Sequence, residues 1–380
     1  MLTYILIFFS CLFLLTMQAF LKRRDKKFFL FIVLVILAFV SGTRYQMGGS
    51  DFIVYKAAYD SIPTLTSFFS DYSNLDQRYM TFGFERGYLF ITSFLKTLGF
   101  NFYGFCLVHA LFFYFCLYQF IKRNSYSYLI IVSIFLYKLF FYNTFISMRQ
   151  SITLAIFLLA IEFIKNKKFM PYVLTILVAT TFHSAAIVLL PLYFINKIKF
   201  TPKRIVLLNV LFIPTLVLSF LNISLLSFAP ILFSWLPSAT VVGKIQSYAE
   251  SGMESRIGLL HIAEYFFLMA IVYFNFNKIK QFQHSNLFIG FFLCLLPIFT
   301  LFSGYEILTR FKDYFIISYA ILLGMVFAGQ GKYSIAAKVL IFIICMLGVF
   351  RFMLLFDDGA FADYRSILIE GISIFGEVQE

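Results

Sequence analysis

Long apolar runs that recur along the chain constrain it most. They occupy residues 3–21, 28–41, 101–121, 126–146, 147–164, 205–221, 257–276, 287–303, 311–328 and 335–356, with short basic or polar stretches between them. Crossing a hydrocarbon core of roughly 30 Å takes about 20 apolar residues in a helix. Most of these runs approach that length; 28–41 is short and reads as extending through Thr43. Composition agrees: 380 residues, 61% hydrophobic and 13% charged, with a mean hydropathy of +0.89. A soluble domain is usually about 45–50% apolar and about 25% charged. The expectation is an all-α, polytopic integral membrane protein, residues 1–380 forming one domain of about ten transmembrane helices with the lipid bilayer as partner.

Charge placement orients the chain. The first run precedes its basic cluster, Lys22-Arg23-Arg24-Asp25-Lys26-Lys27, the reverse of a secretory signal, so it reads as a retained span with its N-terminus outside. Residues 169–195 are awkward because basic clusters flank both ends, Lys165, Lys167 and Lys168 before and Lys197, Lys199, Lys203 and Arg204 after. The positive-inside rule puts both in the cytoplasm if the run enters and turns back as a re-entrant hairpin, its tip near Thr180-Thr181-Phe182-His183-Ser184. A single long tilted span is the alternative. Residues 89–98 are too short to cross and fit an interfacial helix. The outer segments are then 42–100 and 222–256.

A net charge of +13 can signal nucleic acid, but here the cations sit in short clusters between spans, which excludes a nucleic-acid face. The five cysteines lie inside apolar runs without metal or redox spacing; they read as packing residues, and no disulfide is expected. No metal cluster, nucleotide fingerprint or nucleophile elbow appears, and no cofactor or metal is expected.

Charge suited to chemistry gathers at one side. The stretch 42–87 reads as a polar loop holding Arg44, Gly48-Gly49-Ser50-Asp51 and Phe84-Glu85-Arg86-Gly87. Arg44 ends the second run and Arg149-Gln150 opens the fifth; an arginine fork at a helix start suits a phosphate or pyrophosphate. Arg310 stands at the start of the ninth run, where a pairing with Glu306 is the plain alternative. Asp51, Glu85 and His183 are candidates to accept a proton from a hydroxyl or to bind sugar hydroxyls. His183 interrupts an apolar run among Thr180, Thr181 and Ser184, whereas His109 has apolar neighbours and reads as structure.

The order Arg44, Gly49-Ser50-Asp51, Tyr55, then Phe84-Glu85-Arg86-Gly87-Tyr88, Arg149-Gln150 and Thr181-Phe182-His183-Ser184-Ala185 resembles the EpsG family of Wzy-like polysaccharide polymerases. The likeness covers residues 28–195; beyond them it rests on the number of spans and the Arg310 region. Arg86 departs from the proline more usual in the family after the glutamate. The resemblance implies a glycosyltransferase of the bacterial plasma membrane. It would join undecaprenyl-pyrophosphate-linked oligosaccharide units into O-antigen, capsule or exopolysaccharide at the outer face, beside a chain-length regulator and other polysaccharide-assembly proteins. In that reading Arg44, Arg149, Gln150 and Arg310 bind the pyrophosphate, and Asp51, Glu85 or His183 acts on the acceptor hydroxyl. The rivals are an O-antigen ligase-type transferase, which needs the same charges, and a flippase or transporter of lipid-linked sugars, which needs polar residues continuing to the cytoplasmic side.

Overall fold

The structure, a computed structural model, describes residues 2–17, 23–70, 84–221, 259–302, 310–329, 331–355, 361 and 363–376. The outer segment 222–256 and Glu306 lie outside the described residues. Those described are helical, with isolated bridges pairing Arg44 with Ser366 and Phe100 with Phe375. They divide into two compact units, Met1–Tyr193 with Phe327–Glu380, and Phe194–Val326.

Among the described residues, three helices are long and apolar enough to cross a membrane: Phe102–Asn124, Pro202–Phe220 and Lys332–Leu355. Several other apolar runs fold as shorter helices, and the breaks have local causes. Pro297 cannot donate to the preceding turn, and the run 287–303 divides at Cys294 into Ser285–Leu293 and Leu295–Leu301. The run 126–146 is helical over Tyr128–Lys138 and ends in a π-helical turn, Tyr142–Ile146. The outward sides stay apolar, with Leu111, Phe112, Phe115, Ile344 and Leu347 exposed, which suits contact with lipid and not with water.

In the first unit the helix Arg23–Gly42 packs on Phe102–Asn124, which packs on Met148–Lys165, and Lys332–Leu355 lies along Tyr128–Lys138. The polar loop expected over 42–87 is in part helical, with Gly49–Ser61 and Leu65–Ser70. Phe52, Tyr55 and Tyr59 fall at helical spacing and enter an aromatic cluster with Tyr88, Phe102 and Phe105. That buried stripe outweighs the turn chemistry of Gly48-Gly49-Ser50. The short segment 89–98 is part of the helix Arg86–Thr97, which buries Tyr88, Leu89, Thr92 and Leu95 and leaves Phe90 and Phe94 exposed. Lys96 Nζ ties these two helices together by donating to the carbonyls of Tyr59, Asp60 and Ile62 at 3.2, 2.8 and 2.8 Å.

The chain does turn back near residue 181. Phe169–Thr180 is α-helical and Ser184–Lys197 is a 3-10 helix. Tyr172 Oη donates to the Leu189 carbonyl at 2.5 Å, and the Phe169 ring lies 5.0 Å from that of Tyr193. Paired positions that sum to nearly the same number define an antiparallel hairpin. Its first arm packs along Met148–Lys165, and its tip comes to the Arg149 end of that helix. The tip of the hairpin therefore stands at the end of its neighbour helix that carries Arg149.

Residues 363–376 close the same end of the unit. Tyr45 N–H donates to the Arg365 carbonyl at 3.0 Å and Ile367 N–H to the Thr43 carbonyl at 2.8 Å. Asn101 Nδ2 donates to Ser373 O at 2.8 Å, and Phe375 stacks on Phe100 at 4.7 Å. In the second unit Ser285–Leu293 packs on Lys312–Val326, and Tyr265 Oη donates to Asn209 Oδ1 at 2.9 Å. All five cysteines are free thiols.

Candidate functional site

Three segments distant in sequence meet around one carboxylate. Glu85 precedes the helix Arg86–Thr97 with extended backbone, Arg149 is in the first turn of Met148–Lys165, and His183-Ser184 forms the hairpin tip. What docks the first on the third is Gly87, whose N–H donates to the Thr181 carbonyl at 2.8 Å. A Cβ there would lie 2.7 Å from that oxygen and press on Thr181 Oγ1, so only glycine admits this approach. Gly48 does similar work at the start of Gly49–Ser61: its φ is 127°, and a Cβ would sit 2.6 Å from the Phe145 carbonyl.

Glu85 Oε2 accepts from Arg149 Nη1 at 2.7 Å. Glu85 Oε1 accepts from the Ser184 N–H at 2.9 Å and lies 3.4 Å from His183 Nδ1. Arg149 Nε donates to Tyr55 Oη at 3.4 Å, and its guanidinium stands 4.6 Å over the Phe84 ring, which stacks on Tyr55. The side chains of Glu85, Arg149 and His183 keep 16%, 21% and 26% of their exposure, so the cluster is half-buried yet open on one side. Burial alone would raise the Glu85 pKa. The His183 imidazole, the Arg149 charge and the Ser184 amide outweigh it and lower the pKa from 4.5 to about 2. Glu85 is thus an anion at neutral pH and a weak proton acceptor, placed to hold the Nδ1 side of the imidazole and leave Nε2 for another partner.

Arg44 lies deeper. Its side chain is fully buried, its Nη1 donates to the Ser41 carbonyl at 2.7 Å, and its guanidinium stands 5.4 Å over the Phe145 ring. Its Nε and Nη2 are buried with no hydrogen-bond partner among the described residues. The π-helical turn supplies that ring, and the bridge to Ser366 in 363–376 covers the backbone. Arg44 and Arg149 share one end of the unit. Burial pushes the Tyr88 hydroxyl well above its usual range, and the Arg149 and Arg44 charges both pull it down.

Asp51 is half-buried in the first turn of Gly49–Ser61, where the positive end of the helix dipole favours an anion. It is one turn from Tyr55, on the face that Tyr55 brings to Arg149. Gln150 is buried beside Arg149. Arg310 belongs to the second unit, just before the helix Lys312–Val326.

Sequence reasoning read His109 as structure and missed its partners. Its Nε2 lies 2.6 Å from Ser151 Oγ and 3.2 Å from the Met148 carbonyl, so it braces the helical turn that carries Arg149 and Gln150. The apolar residues around it in the chain hid partners that come from another helix. The 363–376 closure also escaped notice, although Ser366, Gly371 and Gly376 punctuate it as turn residues do.

No curated protein and no solved structure matches this chain. The family model named EpsG family matches residues 27–366. That range extends beyond the 28–195 in which the motifs cluster and takes in Arg44, Glu85, Arg149, His183, Arg310 and the paired Ser366. With nearly the whole length matched, the chain belongs to the EpsG family.

Proposed function

We propose that this protein is a membrane glycosyltransferase that polymerises undecaprenyl-pyrophosphate-linked oligosaccharide units at the outer face of the bacterial plasma membrane. Membership of the EpsG family supports the coarser statement, a membrane protein of polysaccharide polymerisation. The observation that carries the finer one is the Glu85, His183 and Arg149 cluster, which sets a proton acceptor beside a cation at one end of a helical unit.

The acceptor hydroxyl gives its proton to His183 Nε2 while its oxygen bonds to the anomeric carbon of the donor. The bond from that carbon to the pyrophosphate breaks, and its electron pair leaves with the pyrophosphate. Glu85 holds Nδ1–H, fixes the tautomer and stabilises the imidazolium that forms. Arg149, held by Glu85 and Tyr55, brings its positive charge to the leaving group, with Gln150 beside it. Arg44 adds a positive field from a site of low dielectric, where a charge acts over a longer distance than in water. Arg310 is assigned to pyrophosphate, and Asp51 to sugar hydroxyls.

The experiment is a polymerisation assay with purified protein and lipid-linked repeat units, read as a ladder on a gel. Arg149→Ala and His183→Gln are each expected to lose the ladder by about 100-fold or more, as for removal of an electrostatic or acid–base group. Undiminished polymer from either variant removes that residue from the mechanism. A single transfer to a different acceptor would overturn polymerisation in favour of a ligase-type reaction.

A further inference from the structure

A cavity of about 510 Å³ opens at the other end of the first unit. The helix Phe102–Asn124 joins the two ends: Asn101 and Gly104 touch residues 373–374 beside the site described above, and Lys122 and Arg123 in its last turn line the cavity. Its 23 residues set the two roughly 34 Å apart. The cavity therefore lies well away from Glu85, and its ligand is independent of the proposed reaction.

Cations converge on it from three helices. Lys26 and Lys27 come from Arg23–Gly42, Lys122 and Arg123 from Phe102–Asn124, and Lys338 from Lys332–Leu355. No aspartate or glutamate is among the described residues that line it. The neighbouring carboxylate of Glu162 is committed elsewhere, at 2.8 Å from Lys165 Nζ and 3.3 Å from Asn124 Nδ2. Lys338 Nζ is held at the rim by the Gly329 carbonyl at 2.6 Å. The helix Tyr128–Lys138 begins in the same wall, capped by Ser127, and adds the positive end of its dipole. Basic clusters that merely obey the positive-inside rule can stay apart in water, each solvated. Here five cations share one concavity, and their repulsion is relieved by an anion between them.

The remainder of the lining separates a lipid from a free anion. Leu15, Ile335 and Val339 stand in the same wall as the cations. Tyr333, on the same helix as Lys338, is 90% exposed. A ligand with a phosphate at one end and acyl chains at the other satisfies both halves of that lining, and a soluble phosphate satisfies one. We infer that this cavity binds the phosphate headgroup of an acidic phospholipid.

The test uses the full chain, delipidated in neutral detergent and supplied with phosphatidylglycerol or phosphatidylcholine, with bound lipid counted by native mass spectrometry. The parent is expected to take phosphatidylglycerol preferentially. Lys27→Gln, Arg123→Gln and Lys338→Gln should each weaken that binding about fivefold, the factor for one basic residue near an anionic surface, and the three together should abolish the preference. Lys203→Gln with Arg204→Gln, a basic pair outside the cavity, should leave it unchanged. If the triple variant fails to give a monodisperse protein, the single variants supply the same reading. Equal binding of the two lipids by the parent overturns the inference, as does a preference that depends on Lys203 and Arg204. Inorganic phosphate is the soluble probe, read only as the part of its binding that Lys27→Gln, Arg123→Gln and Lys338→Gln remove: displacement of that part by phosphatidylglycerol supports the lipid, and its retention against excess lipid overturns it in favour of a free anion.

Discussion

Replacing Glu85 by glutamine keeps the shape of the side chain and removes the charge that three partners share. The pKa depression from 4.5 to about 2 measures how much the folded surroundings prefer the carboxylate. At about 1.4 kcal/mol per pKa unit it corresponds to about 3 kcal/mol. With 16% exposure little of this is lost to solvent screening. The folded-state pKa lies below the unfolded one, so the contribution is present in full above pH 4.5 and is lost as pH falls toward 2. Glu85→Gln should therefore cost about 3 kcal/mol at pH 7, and the difference between variant and parent should shrink over that window. Reversible unfolding in matched mixed micelles, followed by circular dichroism at steps from pH 7 to pH 2.5, reads that difference directly. Other carboxylates titrate in both proteins and cancel. A gap that stays constant with pH, or no gap at neutral pH, would refute the claim that Glu85 is held as an anion by Arg149, His183 and the Ser184 amide.

Gly87→Ala should cost about 1–3 kcal/mol through overpacking against Thr181 and reduce polymer formation by moving Glu85. Gly331→Ala, with nothing within 4 Å of the added carbon, should stay within about 0.5 kcal/mol of the parent in the same unfolding assay. Arg44→Met removes a fully buried guanidinium with two unpartnered nitrogens, so stability should be unchanged or rise by about 1–4 kcal/mol while the polymer ladder disappears. A less stable variant with an intact ladder would make Arg44 a structural post.

Much of the fold was legible because hydrophobic runs report helices whatever their partners. The interruptions were less so: Pro297 breaks a run that composition alone presents as continuous, and the π-helical turn at Tyr142–Ile146 has no signature in the apolar pattern. Gly48-Gly49-Ser50, Lys56 and Asp60 give residues 42–70 the look of a solvated loop. The helix there depends on Phe52, Tyr55 and Tyr59 finding an aromatic cluster built from other segments. Glu85, Arg149 and His183 could each be singled out as ionisable residues beside apolar runs. That Glu85 joins the other two is a property of tertiary packing, 64 residues from one and 98 from the other. Spacing cannot convey such pairings, nor the one between His109 and Ser151.

The pairing of residues 43–45 with 365–367 has a consequence for how the protein is made. The hydroxyls of Thr43 and Ser366 meet at 3.0 Å across 323 positions of sequence. At about 5–20 residues per second, synthesis brings the second partner some tens of seconds after the first has been inserted. Through that interval the helices can enter the bilayer, but the cover over the Arg44 backbone does not exist. A chain stalled before residue 363 would therefore still lack the cover over the Arg44 backbone, so closing this end of the first unit is a late step in its biogenesis.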